Sequence, residues 1–306
     1  MSDFSFCSIA NVNGSISPLE EATIPIMDRG FLYGDSVYEV FRTYEGVPFL
    51  LKEHFDRLEN SAKLIGMRLG QSRQQLLGEI QRTIQASGVI KGQEVYVRYQ
   101  ITRGEGTVDL FPGQELITRF VIIVKPLPVW NPEFYRVGMT LAIPETRRNP
   151  VNCLDPNIKG GNYLNNILAL QEARALGADD CLILSIDDRV TEASNSNLWF
   201  VIGGRLVTPQ ADNLRGLTRI SLYQACRLQD LQTFEEDVLL SSLSAATECF
   251  VTSSTREVMP VCRLRMPDGR QLSFPSGGGE LTRKVMQLYK TFIESYVHQY
   301  AETALF

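Results

Sequence analysis

"NIKGGNYLNNILALQEARALGADD" (157–180) contains a single lysine, Lys159. Gly160 and Gly161 follow it, then Asn162 and Tyr163, then a run of helical character over 163–176. Of the chain's 30 basic residues only seven are lysines, and none but Lys159 lies between Lys125 and Lys284. A lysine is therefore kept at the mouth of a helix, beside residues with almost no side chain, in a chain that otherwise prefers arginine. Read alone, Lys159 is a surface lysine next to a helix start. Its two glycines, however, let backbone or a flat ligand approach closely. In a partly desolvated setting a lysine sheds charge, each unit of pKa costing about 1.4 kcal/mol. Such an amine can form a Schiff base near neutral pH; an arginine cannot.

The rest of the chain fits an ordinary globular protein. It has 306 residues, 44% apolar and 21% charged, with a net charge of −5. Interspersed charges of both signs argue against a nucleic-acid polyanion as main partner. The N-terminal stretch lacks a signal peptide's basic and apolar regions. No apolar run reaches the ~18–20 residues of a membrane helix. The six cysteines form no CxxC pair and are expected to be reduced and mostly buried, in a cytoplasmic protein with no zinc site. There are two histidines. His54 is expected at a helix surface or cap and His298 near the C-terminus, so proton transfer is expected to fall to Lys, Glu or Tyr.

Turn chemistry sets the organisation. Asn13-Gly14 and Glu45-Gly46 mark hairpins. "EHFDRLENSAKLIGM" (53–67) places Phe55, Leu58, Ala62 and Ile65 at helical spacing, and "SRQQLLGEIQRTIQASG" (72–88) is a second helix. "EVYVRYQITRG" and "RFVIIVKPL" read as strands. "KPLPVWNPEF" (125–134), with three prolines, is the linker candidate. Beyond it come a strand at "VGMTLAIPE", the helix after Lys159, and strands in "DCLILSIDDRVTEAS" and "LWFVIGGRLVTP". A helix at "LRGLTRISLYQACRL", a strand running into a loop in "AATECFVTSSTREVMPV", an Asp268-Gly269 hairpin and a final helix over 280–297 complete the chain. "SFPSGGGELTRK" lacks P-loop spacing and leads into that helix. The class is α+β in two domains: 1–125, a linker at 126–133, and 134–306 carrying the lysine.

Other residues extend the chemistry of Lys159. Glu192 in "VTEASNSNLWF" is a turn acid or, if buried, a carboxylate able to hold a proton on a heterocyclic nitrogen. Gly216-Leu217-Thr218 opens a helix with free N–H groups, a hydroxyl and the positive dipole end, a seat for phosphate. Ser253, Ser254 and Thr255 add hydroxyls, and Arg57 a fixed cation. Schiff-base lysine, carboxylate and phosphate seat together call for pyridoxal 5′-phosphate (PLP), which stabilises carbanions while the protein supplies orientation and protons.

In order and over nearly its whole length, the chain resembles the fold-type IV PLP enzymes. The motifs are "DRGFLYGDSVYEVFRTYEGVPFLLKEHFDRLENSA", "IKGGNYLNNILA", "VTEASNSNLWFV", "LRGLTR" and "TSSTREVMPV". These enzymes are branched-chain aminotransferases, D-amino-acid aminotransferases, aminodeoxychorismate lyases and (R)-amine transaminases. The resemblance implies a small α/β domain and a larger one with a β-barrel-like core, in a homodimer with no nucleic-acid or membrane partner. It implies Lys159 as Schiff-base lysine and proton shuttle, Glu192 on the pyridine nitrogen, and Tyr163 on the phenolic oxygen. Leu214 would pack on the ring. Arg57, Gly216, Leu217, Thr218 and Ser254, where many relatives have threonine, would hold the phosphate. Tyr33, Tyr38, Val40, Tyr96, Arg98, Ser254 and Thr255 would meet substrate.

Within that family three places discriminate. Tyr96-x-Arg98 resembles the branched-chain enzymes' site for the γ-carboxylate of glutamate. Val108 and Leu110 stand about where D-amino-acid aminotransferases carry an Arg-x-His trap, and the lyases' arginine is absent too. Val40, where branched-chain enzymes have glycine, and "ITRGEG" are closer to the D-amino-acid and amine transaminases. A carboxylate needs a cation, whereas a wall methyl tunes affinity by ~1–3 kcal/mol. The expectation is ping-pong transamination between a branched-chain L-amino acid and 2-oxoglutarate. A D-amino-acid or (R)-amine transaminase, a lyase, and a non-catalytic PLP-binding regulator are the alternatives.

Overall fold

In a computed structural model, residues 6–113 and 116–306 are described. Contacts divide the chain into two units. One comprises the chain through Pro128 together with Ile158–Asn162 and Ser295–Phe306; the other comprises Val129–Asn157 and Tyr163–Glu294.

The first unit is built on an antiparallel sheet. Its strands are β1 (Ile9–Val12), β2 (Ser15–Pro18), β3 (Ser36–Tyr44), β4 (Val47–Pro48), β5 (Val95–Thr102) and β6 (Arg119–Pro126), in the order β2-β1-β6-β5-β3-β4. Both expected hairpins form, with positive φ at Asn13, Gly14, Glu45 and Gly46, as the tight reversal requires. A short helix α1 (Arg29–Tyr33) precedes β3, and α2 (Leu51–Leu64) and α3 (Arg73–Ser87) follow it. Ser72 and Gln75 form a capping box at the start of α3. Alternation gives the sheet two faces. Val37 and Phe41 of β3, Val97, Tyr99 and Ile101 of β5, and Ile122 and Val124 of β6 pack against Phe55 and Leu58 of α2 and Ile80 and Ile84 of α3. Each such side chain contributes about 1.5–3 kcal/mol by leaving water. The opposite face presents the even-numbered residues of β3 and β5, where Tyr38 pairs with Gln100 and Val40 with Arg98.

The second unit contains α4 (Glu133–Arg136), β7 (Met139–Ala142), α5 (Leu164–Ala175), β8 (Asp180–Cys181), β9 (Asn197–Ile202), β10 (Arg205–Pro209), α6 (Leu217–Arg227), β11 (Thr233–Glu236), β12 (Ala246–Ser253), β13 (Glu257–Arg265) and β14 (Gln271–Ser273). The final helix, α7 (Glu280–Gln299), begins here, and its residues from Ser295 group with the first unit. The mixed sheet runs β11-β10-β9-β12-β13-β7-β8, with β14 on β13. Its core includes Leu141, Leu184, Leu198, Phe200, Val251 and Val261. β13 continues where a loop was expected, pairing with β12 through Ser253↔Glu257. In "DCLILSIDDRVTEAS", expected as strands, only Asp180–Cys181 is a strand, with Leu184↔Val190 and Arg189↔Leu239 as isolated bridges. Leu182, Ile183 and Leu184 are fully buried nonetheless, and their backbone is paired: Leu182 N–H donates to the Ala142 carbonyl at 2.9 Å, Ile183 N–H to the Glu192 carbonyl at 2.9 Å, and Thr191 N–H to the Ile183 carbonyl at 3.0 Å.

Lys159 does not group with residues 134–306, where the sequence placed it. Ile158–Asn162 belongs to the first unit by contacts. The physical reason is backbone pairing with β3, described next.

Among the described residues, no helix is long and apolar enough to cross a membrane. The cysteines are all free; Cys181, Cys226 and Cys249 are buried, whereas Cys7 and Cys153 are exposed.

Candidate active site

The Lys159 segment lies along the edge of β3 as a short extra strand. Tyr38 N–H donates to the Lys159 carbonyl at 2.9 Å, and Gly161 N–H donates to the Ser36 carbonyl at 3.1 Å. Val37 and Gly160 form an antiparallel bridge. Lys159 N–H donates to Ser61 Oγ on α2 at 3.2 Å. The glycines are required by this approach: a Cβ on Gly161 would stand 2.6 Å from Ser36 Oγ and 3.0 Å from the Gly34 carbonyl. The side chain ends with Nζ 3.4 Å from Tyr38 Oη and 4.5 Å from the centre of that ring. Lysine, tyrosine and glycines are thus fixed as one group.

The same Tyr38 ring carries a second cation. The Arg98 guanidinium lies 3.6 Å from its centre, a cation–π contact worth about 0.5–2 kcal/mol. Arg98 Nη2 donates to Gln100 Oε1 at 2.9 Å, and Gln100 Nε2 donates to Ser36 Oγ at 2.8 Å. Burial pushes the Tyr96 phenol up, against the opposing pull of Arg98. Tyr38, Val40, Tyr96 and Arg98, all anticipated from sequence, therefore share one face of β3 and β5. Tyr33 lies on α1, with Arg29 over its ring at 4.8 Å.

Arg57 projects from α2 and meets Glu39, the one carboxylate on the core face of β3. Arg57 Nε and Nη2 donate to the two Glu39 oxygens at 2.7 and 2.8 Å. His54 Nδ1 is 2.7 Å from Glu39 Oε2. His54 is buried, not on a helix surface or cap as expected, because α2 turns it toward this carboxylate. Burial, opposed by Glu39, lowers the His54 pKa, so the neutral imidazole donates its Nδ1–H. Burial pushes Glu39 up, but Arg57 and His54 outweigh it and hold it at about 2. Glu39 escaped the sequence reading; its signal was a charge at a position whose neighbours two residues away, Val37 and Phe41, are core.

The second unit carries the other candidates. Glu192 is buried and both oxygens are oriented: Arg148 Nη2 lies 3.0 Å from Oε1, and Leu214 N–H donates to Oε2 at 3.1 Å. Arg148 also reaches Asn166 Oδ1 at 3.2 Å. Nothing in the sequence around Arg148 marked it. Leu214 is held again through its carbonyl, which accepts from Asn197 Nδ2 at 2.8 Å. Gly216 is the N-cap of α6 and offers no side-chain cap, leaving the first N–H groups of Leu217 and Thr218 to an outside acceptor. A Cβ at Gly216 would stand 2.0 Å from Asn197 Oδ1, so this approach admits only glycine.

Ser254 and Thr255 form the turn between β12 and β13. Arg256 secures it: its Nη1 donates to Asp180 Oδ2 at 2.8 Å and to Ser196 Oγ at 2.7 Å, and its guanidinium lies 4.7 Å from the Trp130 ring centre. Trp130 Nε1 donates to the Thr255 carbonyl at 2.9 Å. Tyr163 is the N-cap residue of α5. In the first unit, the loop after β5 is tethered by Arg29, which donates to the carbonyls of Asp109 and Leu110, while the Val108 and Leu110 side chains are exposed.

Taken unit by unit, these donors are of the kinds that pyridoxal phosphate uses. Lys159 is an amine in a built seat, the start of α6 is an uncapped N-terminus, and Glu192 is an oriented carboxylate. Among the described residues, no group of three or more His, Cys, Asp or Glu is arranged for a metal.

Comparison with known proteins points the same way. The sequence pattern of the family "Amino-transferase class IV" matches residues 36–264. The chain is 31% identical to a putative branched-chain-amino-acid aminotransferase of Methanocaldococcus jannaschii, covering 91% of this chain and 94% of that one. It is 32% identical to a D-alanine aminotransferase of Listeria monocytogenes, over 95% and 97% of the two chains. The branched-chain amino acid aminotransferase of T.th., solved with pyridoxamine 5′-phosphate, superposes with a TM-score of 0.82 at 29% identity over 96% of each chain. With the family pattern spanning most of its length and a relative 31% identical over 91% of it, the chain belongs to the class IV aminotransferases.

Proposed function

We propose that the protein catalyses PLP-dependent, ping-pong transamination between a branched-chain L-amino acid and 2-oxoglutarate. The observation that carries this reading is the pairing of Lys159 and Arg98 on one tyrosine. Lys159 Nζ and the Arg98 guanidinium lie 4.5 and 3.6 Å from the Tyr38 ring centre. An amine for the α-carbon and a guanidinium for a distal carboxylate are what a dicarboxylic 2-oxo acid needs. The apolar and aromatic neighbours Val40, Tyr38 and Tyr96 suit an aliphatic side chain in the other half-reaction.

Pyridoxal phosphate, when bound, supplies the electron sink that makes the α-proton labile. Lys159 would hold the cofactor through its amine and carry that proton. Glu192, steadied by Arg148 and the Leu214 amide, would serve the ring nitrogen. Tyr163 would bond the phenolic oxygen, and Leu214 would pack on the ring. Arg57, Ser254 and the N-terminus of α6 at Gly216, Leu217 and Thr218 would hold the phosphate; Thr255 and Tyr33 would face substrate. We read 1–125 as the small domain, 126–133 as linker, and 134–306, apart from Ile158–Asn162 and Ser295–Phe306, as the large domain with a barrel-like sheet, in a homodimer.

The test is a donor panel of L-leucine, L-valine, D-alanine and (R)-1-phenylethylamine, followed through the cofactor's visible band in single half-reactions. Bleaching by the two L-amino acids alone supports the reading. Bleaching by D-alanine supports a second one, D-amino-acid transamination. Val40 beside Arg98 and the resemblance to D-alanine aminotransferases favour it. No visible band would remove the cofactor and both readings.

A further inference from the structure

We propose that Gln100 is a specificity-positioning residue: it fixes the distance between the Arg98 guanidinium and the Lys159 amine, and so sets the length of dicarboxylic 2-oxo acid that the site accepts. This rests on the reading of Arg98 as the distal-carboxylate site.

Two connections carry the inference. Arg98 has a long, flexible side chain, and stacking on Tyr38 fixes its distance from the ring but allows it to slide across the face. The hydrogen bond from Nη2 to Gln100 Oε1, 2.9 Å, removes that freedom. Gln100 is itself oriented: Arg98 can only donate, so the amide oxygen faces it, and Nε2 is left to donate to Ser36 Oγ at 2.8 Å. Ser36 is the residue on which the lysine segment rests: its carbonyl accepts from Gly161 N–H at 3.1 Å, and its Oγ occupies the space a Gly161 side chain would need. A continuous relay therefore runs Arg98–Gln100–Ser36–Gly161 and ends two residues from Lys159. The strand register supports it: Tyr38↔Gln100 and Ser36↔Thr102 are cross-strand pairs, so Gln100 reaches Ser36 along a same-face diagonal. A monocarboxylic acid such as 2-oxoisocaproate places an aliphatic chain where the distal carboxylate would go and does not use the relay.

The experiment compares the wild-type holoenzyme with Gln100→Met, Ser36→Ala and Arg98→Ala. The acceptors are oxaloacetate, 2-oxoglutarate, 2-oxoadipate and 2-oxoisocaproate, with kcat and KM determined separately. Gln100→Met keeps the volume and deletes both hydrogen bonds. The expected result is a kcat/KM for 2-oxoglutarate lowered ~10-fold, mainly through KM. The preference among the three dicarboxylates flattens, and 2-oxoisocaproate changes less than about 2-fold. Ser36→Ala, which removes only the oxygen orienting Gln100, is expected to move the same ratio in the same direction, and it carries the test if Gln100→Met does not fold. If Arg98→Ala loses dicarboxylates selectively while Gln100→Met and Ser36→Ala keep the wild-type length profile, the positioning role is overturned and the Arg98 reading stands. If Arg98→Ala lowers all four acceptors equally, the Arg98 reading falls and the role of Gln100 falls with it.

Discussion

Glu39 and Arg57 meet as a bidentate pair inside the first unit, carboxylate to guanidinium at 2.7 and 2.8 Å, on the face of β3 that otherwise carries only core. Charge is placed there at a desolvation cost, and both partners are needed to offset it. Glu39→Gln keeps the shape and removes the charge. It is expected to destabilise the protein by about 3–5 kcal/mol, because a buried arginine loses its counter-ion. Urea unfolding of the wild type and variant checks this; equal midpoints would show that Arg57 finds another partner.

The same cluster sets the acid response. His54 is kept neutral in the folded chain, its pKa lowered by burial against the pull of Glu39, whereas the unfolded chain binds a proton below about pH 6.5. Stability therefore falls as pH drops through that value. Glu39, held at about 2 against an ordinary 4.5, contributes fully above about pH 4.5 and loses its contribution between there and about 2. Urea midpoints from pH 8 to 4 should fall from about pH 6.5 downward. His54→Asn should flatten the upper part of that fall.

Lys159→Ala should reduce turnover by at least ~10²–10⁴-fold, the range for loss of a positioned base, and abolish the covalent cofactor band. Far-UV circular dichroism should be unchanged, since the backbone bonds to Ser36, Tyr38 and Ser61 do not involve the side chain. Normal turnover would sink the proposed chemistry.

Arg98→Ala should lower kcat/KM for 2-oxoglutarate and glutamate by ~10–100-fold, the worth of a charge-assisted hydrogen bond, and that for leucine much less. Steady-state kinetics with both substrate pairs measures the ratio.

Glu192→Gln should slow the single-turnover half-reaction about 10²–10³-fold while the cofactor stays bound. Stopped-flow spectroscopy separates the two effects. An unchanged rate would show that this carboxylate does not act on the ring.

Local signals carried much of the fold. Asn13-Gly14 and Glu45-Gly46 specify their turns through backbone conformation, and the spacing of Phe55, Leu58 and Ala62 specifies the buried face of α2. Lys159, Tyr38 and Arg98 were named from sequence and lie together. What stayed hidden depends on partners distant in the chain. His54 is buried only because Glu39 receives it, and Gln100 reads as an ordinary polar strand residue until Arg98 and Ser36 are placed beside it. β11 pairs in parallel with β10 through a polar stretch, "TFEE", that has no apolar alternation to reveal it. The apolar run at 182–184 pairs its backbone with Ala142, Thr191 and Glu192 in a short, irregular way that composition does not distinguish from a regular strand.

The placing of Lys159 along β3 has a consequence for solubility. β4 pairs with β3 only at Thr43 and Tyr44, so the backbone groups of Ser36 and Tyr38 on that side would otherwise be open to another chain. Unpaired strand edges of this kind template aggregation. The segment that carries Lys159 also closes this edge, and its bonds to Ser36 and Tyr38 are lost together if it detaches. With Lys159 in the role proposed above, loss of activity and exposure of a sticky strand edge are a single event. Any variant that loosens Gly160 or Gly161 should be judged by its tendency to self-associate as well as by its rate.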